Sequence, residues 1–307
     1  MWDARLDRRL IATELSVDAH AEAAAAIDSV PGSLAVTDAG NHIGPLPRLR
    51  DELESCRERV ERRERIALLR PLPDLDFRKR RIFAWIVANV FGEPLVQNSQ
   101  GDRLVAVYAR PGTQRIADGA RYHQTREGGG PHTDNVNIPD SWEYLVFSCI
   151  RPARIGGESI LIDGGAVHER LLAVPEAFDI LRQPFWWEYR GISDQLYQAP
   201  VMTYDGRGEP RFRYLRRYLE SAHHRAGEPL RAEQVWALDV LDAVLDLSEL
   251  QFRTSLEQGE VLIASDSHIL HARTSFCDPG PGAPHDVDAA AAGSCRFFDR
   301  AWVRKHR

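Results

Sequence analysis

Short apolar runs, each bounded by turn residues, punctuate the middle and end of the chain, and they constrain its fold more than any other feature. Leu104–Ala109 is closed off by Pro111-Gly112, while Tyr144–Ile150 and Ser159–Ile162 flank the turn "RPARIGG". Runs of this length and punctuation read as strands, as do the closing segments "LEQGEVLIASDSHILHARTSF" and "CRFFDRAWVRK". Ahead of them the texture is helical. Ser16 is placed to cap a helix running to Asp28, which Pro31-Gly32 stops. The stretch Arg48–Leu69 carries opposite charges three and four apart and reads as a solvated helix. Phe77–Val90 sets Ile82, Trp85, Ile86 and Val90 on one apolar face before "GEPLVQNSQG" breaks it, and Leu238–Leu247 returns to helical spacing. Helices at the front with strands in the middle and at the end predict an α+β fold. Its strands close as a jelly roll or sandwich rather than a parallel sheet.

The 307 residues show no repeat period, Gly/Ser linker or long like-charge run, so one domain is expected over 1–307. The 39 basic and 45 acidic residues leave a net charge of −6, so no global positive field draws the chain to nucleic acid or anionic lipid. No stretch approaches the roughly 18 apolar residues that span a bilayer. The opening "MWDARLDRRL" lacks the apolar core of a signal peptide, which makes a cytoplasmic location the expectation. Four cysteines without a C-x-x-C pair read as reduced packing residues. G-x-G-x-x-G after a strand and G-x-x-x-x-G-K-[ST] are both absent, which removes dinucleotide and phosphate-loop readings. All but two of the 39 basic residues are Arg, with Lys only at 79 and 305; codon bias accounts for most, and selection for carboxylate binding is the sharper alternative.

The chemistry gathers at "GGGPHTDNVN". In extended chain His132 and Asp134 share a face and reach one metal ion. A pair like this arises by chance about once in such a sequence, and His20-Ala-Glu22 is a decoy of that kind. A mononuclear iron site for oxygen chemistry needs two His and one carboxylate on one face, with positions left open. The third ligand must then be a distant His, and "GEVLIASDSHILHAR" offers His268 and His271.

Taken in order, His132-x-Asp134, "GGES" at Gly156–Ser159, Gly259-Glu260, Asp266, His271, Arg273, Arg296 and Arg300 resemble the iron(II)/2-oxoglutarate dioxygenases of the taurine-dioxygenase and clavaminate-synthase type. The likeness runs from about Ile66 to Trp302 and includes "ALLRPLPDLD", "GEPLVQNSQG", "FRYLRRYLE" and "LDVLDAVLDL". It implies a double-stranded β-helix core, cupin-like, at 66–307 with inserted helices and lid loops, and a helical N-terminal part at 1–65. It further implies Fe(II) held by His132, Asp134 and His271. The distal His of the family precedes a small residue and Arg, which selects His271 over His268. The Ser after the Gly-Gly turn, Ser159, and the Arg beyond the distal His, Arg296, would hold the far carboxylate of the co-substrate 2-oxoglutarate. O₂ is the second co-substrate, and succinate and CO₂ are released as an unactivated C–H bond is hydroxylated, desaturated or cyclised.

On a strand, the spacing of four puts Arg300 on the face of Arg296. In some relatives this second Arg grips the substrate's acidic group. A small, carboxylate-bearing metabolite is therefore the expected partner, an amino acid or a specialised-metabolite intermediate, with Asn135 and Gln124 as further contacts. Asp134 itself argues against halogenation, because halogenating relatives lose this carboxylate. One departure is the Pro-, Gly- and Ala-rich stretch from Ala272 to Cys295, longer than the usual connection and read as a mobile loop. "QPFWWEYRGISDQLYQAP" reads as an aromatic lid or, slightly better, as core. The rival readings are a cupin-type hydrolase or isomerase with the same triad, and a β-helix protein that binds metal as structure or sensor.

Overall fold

The computed structural model describes residues 6–306 apart from 63, 113–120, 140–141, 190–191 and 281. Two sheets lie at its centre, with strands numbered in chain order. The first contains β1 (Ile66–Leu69), β2 (Val105–Val107), β4 (Tyr144–Arg151), β7 (Val261–Ser265) and β9 (Phe297–Arg304). The second contains β3 (Gly129–His132), β5 (Ser159–Asp163), β6 (Gln251–Thr254) and β8 (Ile269–Arg273). Spatial order is β1-β7-β4-β9 in one, with β2 on the outer edge of β9, and β6-β5-β8-β3 in the other. Each of these pairings is antiparallel.

Alternation along the strands shows how the sheets are used. Val146, Val261, Ile263, Ala301 and Val303 point outward into a cluster with the helices Val17–Ser29, Pro47–Arg62 and Phe77–Phe91. Ile160, Ile162, Leu270 and Ala272 point outward on the other side, under Arg216–Ala226 and Ala232–Leu245. The intervening residues Cys149, Leu161, Leu262, Ile269 and Phe298 meet in one cluster between the sheets. Strands buried on both faces read as continuous apolar runs, and β5 and β7 are buried at every position. Burial of each large apolar side chain contributes about 1.5–3 kcal/mol. A one-residue slip would exchange the two faces, so the register is strongly determined.

Local signals match most helices. Ser16 Oγ accepts from Ala19 N and Asp76 Oδ1 from Lys79 N, capping the first and third helices. The decoy residue Glu22 instead accepts from the backbone N–H groups of Arg48 and Leu49, at the start of the second helix. That helix is not solvated all round: Leu49, Leu53, Cys56 and Val60 form a buried face. It also ends at Arg62, not Leu69. The "IALL" at its expected end is β1, fully buried between Ala12–Thr13 and β7, where sheet pairing overrides the helical charge pattern.

One loop expectation is likewise corrected, and for the aromatic segment the reading as core holds over the lid. Within 274–295, Phe276–Cys277 pairs with Ile155–Gly156 and Asp286 caps a helix over Val287–Ala292, so this stretch is not loop throughout. "QPFWWEYRGISDQLYQAP" forms a hairpin of Pro184–Glu188 with Leu196–Pro200, in which Trp187 is fully buried and donates to Ala199 O. Trp186 donates to Glu228, so packing rather than a lid accounts for both rings.

The N-terminal segment is fastened to the core by charge. Glu260, whose side chain is wholly buried, accepts from Arg8, Arg70 and the Glu257 N–H. Glu260→Ala leaves two half-buried guanidinium groups without their carboxylate and is expected to cost about 3 kcal/mol. The check is the shift of the urea unfolding midpoint, and Glu260→Gln should recover part of it.

Candidate active site

The register of the second sheet brings the sequence-predicted ligands together. His132 closes β3 and lies directly opposite His271 of β8, with ring centroids 4.4 Å apart. Thr133 is extended, so the chain steps once before Asp134 opens the 3₁₀ turn Asp134–Asn137. His132 and Asp134 therefore share a face, although Asp134 is not itself on a strand. Potential donor atoms of the three residues all lie within 4.8 Å of one another. His268, three residues before His271, faces elsewhere, with Ser265 on Nδ1 and Asp205 near Nε2.

Hydrogen bonds orient His132 and Asp134. His132 Nδ1 is 3.0 Å from Gly130 O, so this nitrogen carries the proton and Nε2 keeps its lone pair. Burial lowers the affinity of both imidazoles for a second proton, that of His271 to about 3, which keeps them neutral and able to bind metal. Asp134 Oδ2 accepts from Trp302 Nε1 at 2.9 Å and is ion-paired with Arg300 Nη1 at 3.0 Å. Oδ1 is left facing His132 Nε2 at 3.8 Å and His271 Nε2 at 4.0 Å. Burial opposes the ionised form of Asp134, but the Arg300 charge and the Trp302 hydrogen bond outweigh it and hold the carboxyl below its ordinary range. Asp266 supports the same residue from behind, accepting from Asp134 N at 3.1 Å; burial, then the neighbouring Asp134, raises its own pKa to about 8. Two neutral imidazoles and one monodentate carboxylate fit Fe(II) and leave coordination positions open. Trp302→Phe keeps the ring but removes a donor, so Fe(II) affinity should fall about 10- to 100-fold in an anaerobic metal titration.

A cavity of about 120 Å³ opens onto the triad, and its apolar wall is built from inward-facing Val107, Phe147, Leu161, Leu262 and Ala264. Ser159 lines it, paired across the ladder with Arg273. Arg296 immediately precedes β9 and is not among the residues lining the cavity, whereas Arg300 and Trp302 are; the pairing of β9 with β4 shifts register between Phe297 and Phe298. Arg296 is 1% exposed and its Cζ stacks 3.8 Å from the centroid of the Phe298 ring, while Nε and Nη2 have no hydrogen-bond partner among the described residues. Burial, then Arg273, pushes its pKa down to about 9. An unpaired buried guanidinium is costly unless an anion meets it, so this pair of nitrogens fits a carboxylate. Gly157, at φ +75°, supplies the close approach: a Cβ there would lie 3.2 Å from Arg296 Nε.

The remaining assignments divide. Arg300 lines the cavity, but is engaged by Asp134 and by Gln97 Oε1 at 3.0 Å, so it acts on the metal ligand as well as facing substrate space. Asn135 is not among the lining residues: its amide donates to Phe212 O and accepts from Thr133, and the 3₁₀ turn presents Asn137 instead. Gln124 is likewise absent from the lining, where its neighbours Tyr122 and His123 stand. Tyr122 stacks on His132 at 5.2 Å and fits against Gly129, where a Cβ would fall 2.1 Å from the ring. Sequence reasoning also missed Arg273 and Trp302 as cavity residues, although each lies two positions from a predicted one on a strand and so shares its face.

The family model for taurine catabolism dioxygenase TauD, TfdA family matches residues 36–286. The chain belongs to that family. It is a dioxygenase of the iron(II) and 2-oxoglutarate type, which removes the hydrolase, isomerase and purely structural readings. FR-33289 synthase of Streptomyces rubellomurinus is 25% identical over 278 residues, 88% of this chain and 78% of that protein. A uridine-5'-phosphate dioxygenase of a Streptomyces species is 29% identical over 195 residues, 60% of this chain and 68% of that protein. Among solved structures, an asparagine oxygenase with Fe(II), 3-hydroxyasparagine and succinate superposes with a TM-score of 0.66 at 18% identity, covering 96% of this chain and 93% of that one. The non-heme iron oxygenase OrfP with Fe and alpha-ketoglutaric acid gives 0.64 at 15% identity, covering 96% and 94%. These likenesses establish the fold of this dioxygenase as the curled, jelly-roll type. No helix among the described residues is long and apolar enough to cross a membrane.

Proposed function

We propose that this dioxygenase hydroxylates an unactivated C–H bond of a small metabolite, an amino acid or a specialised-metabolite intermediate bearing an acidic group. The observation that carries this reading is the division of labour at Asp134, one oxygen tied by Trp302 and Arg300 and the other facing two imidazole nitrogens. His132, Asp134 and His271 would hold Fe(II) on one face. Bound Fe(II) with 2-oxoglutarate and O₂ supplies the oxidising power, with succinate and CO₂ released and one oxygen atom entering the substrate. The chain's own task is to bind, orient and keep water out. Ser159 and Arg296 would anchor the distal carboxylate, the guanidinium through a charge-assisted fork that fixes direction as well as energy. The apolar wall from Val107 to Leu262 shields the reacting end.

Support for the substrate class comes from the relatives: the solved neighbours carry hydroxylated asparagine and hydroxylated arginine, and one sequence relative is named for a nucleoside phosphate. The test is succinate formation by purified protein with Fe(II), 2-oxoglutarate and a panel of amino acids and phosphorylated metabolites. Oxygen uptake should match succinate formed when a substrate is accepted, and substrate turnover without oxygen uptake would defeat the proposal.

A further inference from the structure

The cavity carries more positive charge than the metal chemistry uses. Arg121, Arg273 and Arg300 line it, and Asp134 is the sole carboxylate in the lining among the described residues. Arg300 is matched by Asp134 at 3.0 Å. Arg273 is occupied by the carbonyl oxygens of Thr125, Glu127 and Thr274. Arg121 and His123 stand apart: each faces the cavity, and neither side chain has a hydrogen-bond or ion-pair partner among the described residues. Fe(II) and doubly charged 2-oxoglutarate cancel one another, so loading the site leaves this excess in place. Charges in a partly dehydrated cavity act more strongly than in water, and a site of one sign selects partners of the other.

We propose that Arg121 and His123 form the receptor for an anionic group of the prime substrate, a carboxylate or a phosphoryl group set away from the C–H bond under attack, and that the cavity thereby selects anionic over cationic substrates. The segment is built for this. Arg121 immediately precedes the 3₁₀ turn Tyr122–Gln124 and His123 lies within it, while Tyr122 between them is stacked on His132, which fixes the turn relative to the metal ligands. The guanidinium offers a fork to two oxygens and the imidazole one further donor. Asn137, on the turn that begins with Asp134, lines the same cavity, and its carboxamide oxygen is without a partner among the described residues, which provides an acceptor for a hydroxyl or amine elsewhere on the substrate. A cationic side chain, such as that of the hydroxyarginine bound by the solved neighbour OrfP, would here meet guanidinium groups with no carboxylate free to receive it.

The inference rests on the oxygenase reading only for what fills the rest of the cavity, and the two fail separately. L-Glutamate, O-phospho-L-serine, L-glutamine and L-ornithine are titrated by calorimetry into metal-free protein and into anaerobic protein loaded with Fe(II) and 2-oxoglutarate, whose absorption band reports loading independently. Glutamate or phosphoserine is expected to bind at least tenfold more tightly than ornithine, with the tighter of the two identifying carboxylate or phosphoryl as the preferred group. Arg121→Gln should bring that ratio close to one and His123→Gln should reduce it severalfold, while the dissociation constant for 2-oxoglutarate stays within twofold. Ornithine binding as tightly as the anions, no saturable binding of either anion, or an unchanged preference in both variants would overturn the proposal. Failure of Fe(II) and 2-oxoglutarate to bind, with the anion preference intact in metal-free protein, would overturn the oxygenase reading alone.

Discussion

His271→Ala is expected to abolish succinate formation, lowering turnover by on the order of 10³-fold or more, the several kcal/mol that a bound metal contributes to catalysis. His271 sits on β8 across the ladder from His132, with its Nε2 4.0 Å from Asp134 Oδ1, and His268 is turned toward Ser265 and Asp205. His268 is therefore not placed to substitute for it, and the metal-ligating group found among the described residues is His132, Asp134 and His271. His268→Ala is the matched control, because it removes a histidine from the same chain segment but none from the triad, and it should retain activity. The readouts are succinate formed and iron retained after gel filtration. Undiminished turnover in His271→Ala would remove the triad assignment, whereas folding failure is recognised by circular dichroism and by loss of the cooperative thermal transition.

Arg296→Lys is the second large effect: it keeps the charge but loses the fork, and the KM for 2-oxoglutarate should rise about 10- to 100-fold, the equivalent of the roughly 1.5–3 kcal/mol carried by a hydrogen bond to a charged group. Its buried Nε and Nη2 lack partners among the described residues. An independent consequence concerns stability without co-substrate. Arg296→Met replaces an uncompensated buried charge with an apolar chain of similar length, so the protein free of 2-oxoglutarate should be as stable as the parent or more so. The stabilisation that 2-oxoglutarate gives the parent in a thermal melt should vanish in the same variant. A structural role for Arg296 would reverse the first result and leave the second unaltered. An unchanged KM in Arg296→Lys would return this residue to the many arginines that codon usage explains.

Much of the fold is legible locally because strand and helix periods are local properties. The apolar runs of β4, β5, β7 and β8 stand close to where the sequence places them, and the caps at Ser16 and Asp76 are visible as residue types. The failures occur where a partner distant in sequence decides. Ile66–Leu69 follows a run of helix-compatible charges, yet four residues buried between Ala12–Thr13 and β7 gain more from the sheet than from another helical turn. Phe276–Cys277 looks like loop until Ile155–Gly156 lies beside it.

The site divides in the same way. The grouping of His132, Asp134 and the distal His271 follows from two-residue alternation and the family resemblance, whereas the same alternation places Arg300 at the cavity but not Arg296, beside which the pairing of β9 with β4 shifts register. Which neighbouring residues reach the cavity depends instead on turn geometry. A 3₁₀ turn after Thr133 carries Asn135 inward to Phe212 and Thr133 and leaves Asn137 at the wall, and another presents Tyr122 and His123 in place of Gln124. In a strand a side chain's face is set by parity, which is written in the sequence. In a turn it is set by the contacts that close the turn, and those exist only once the two sheets have packed.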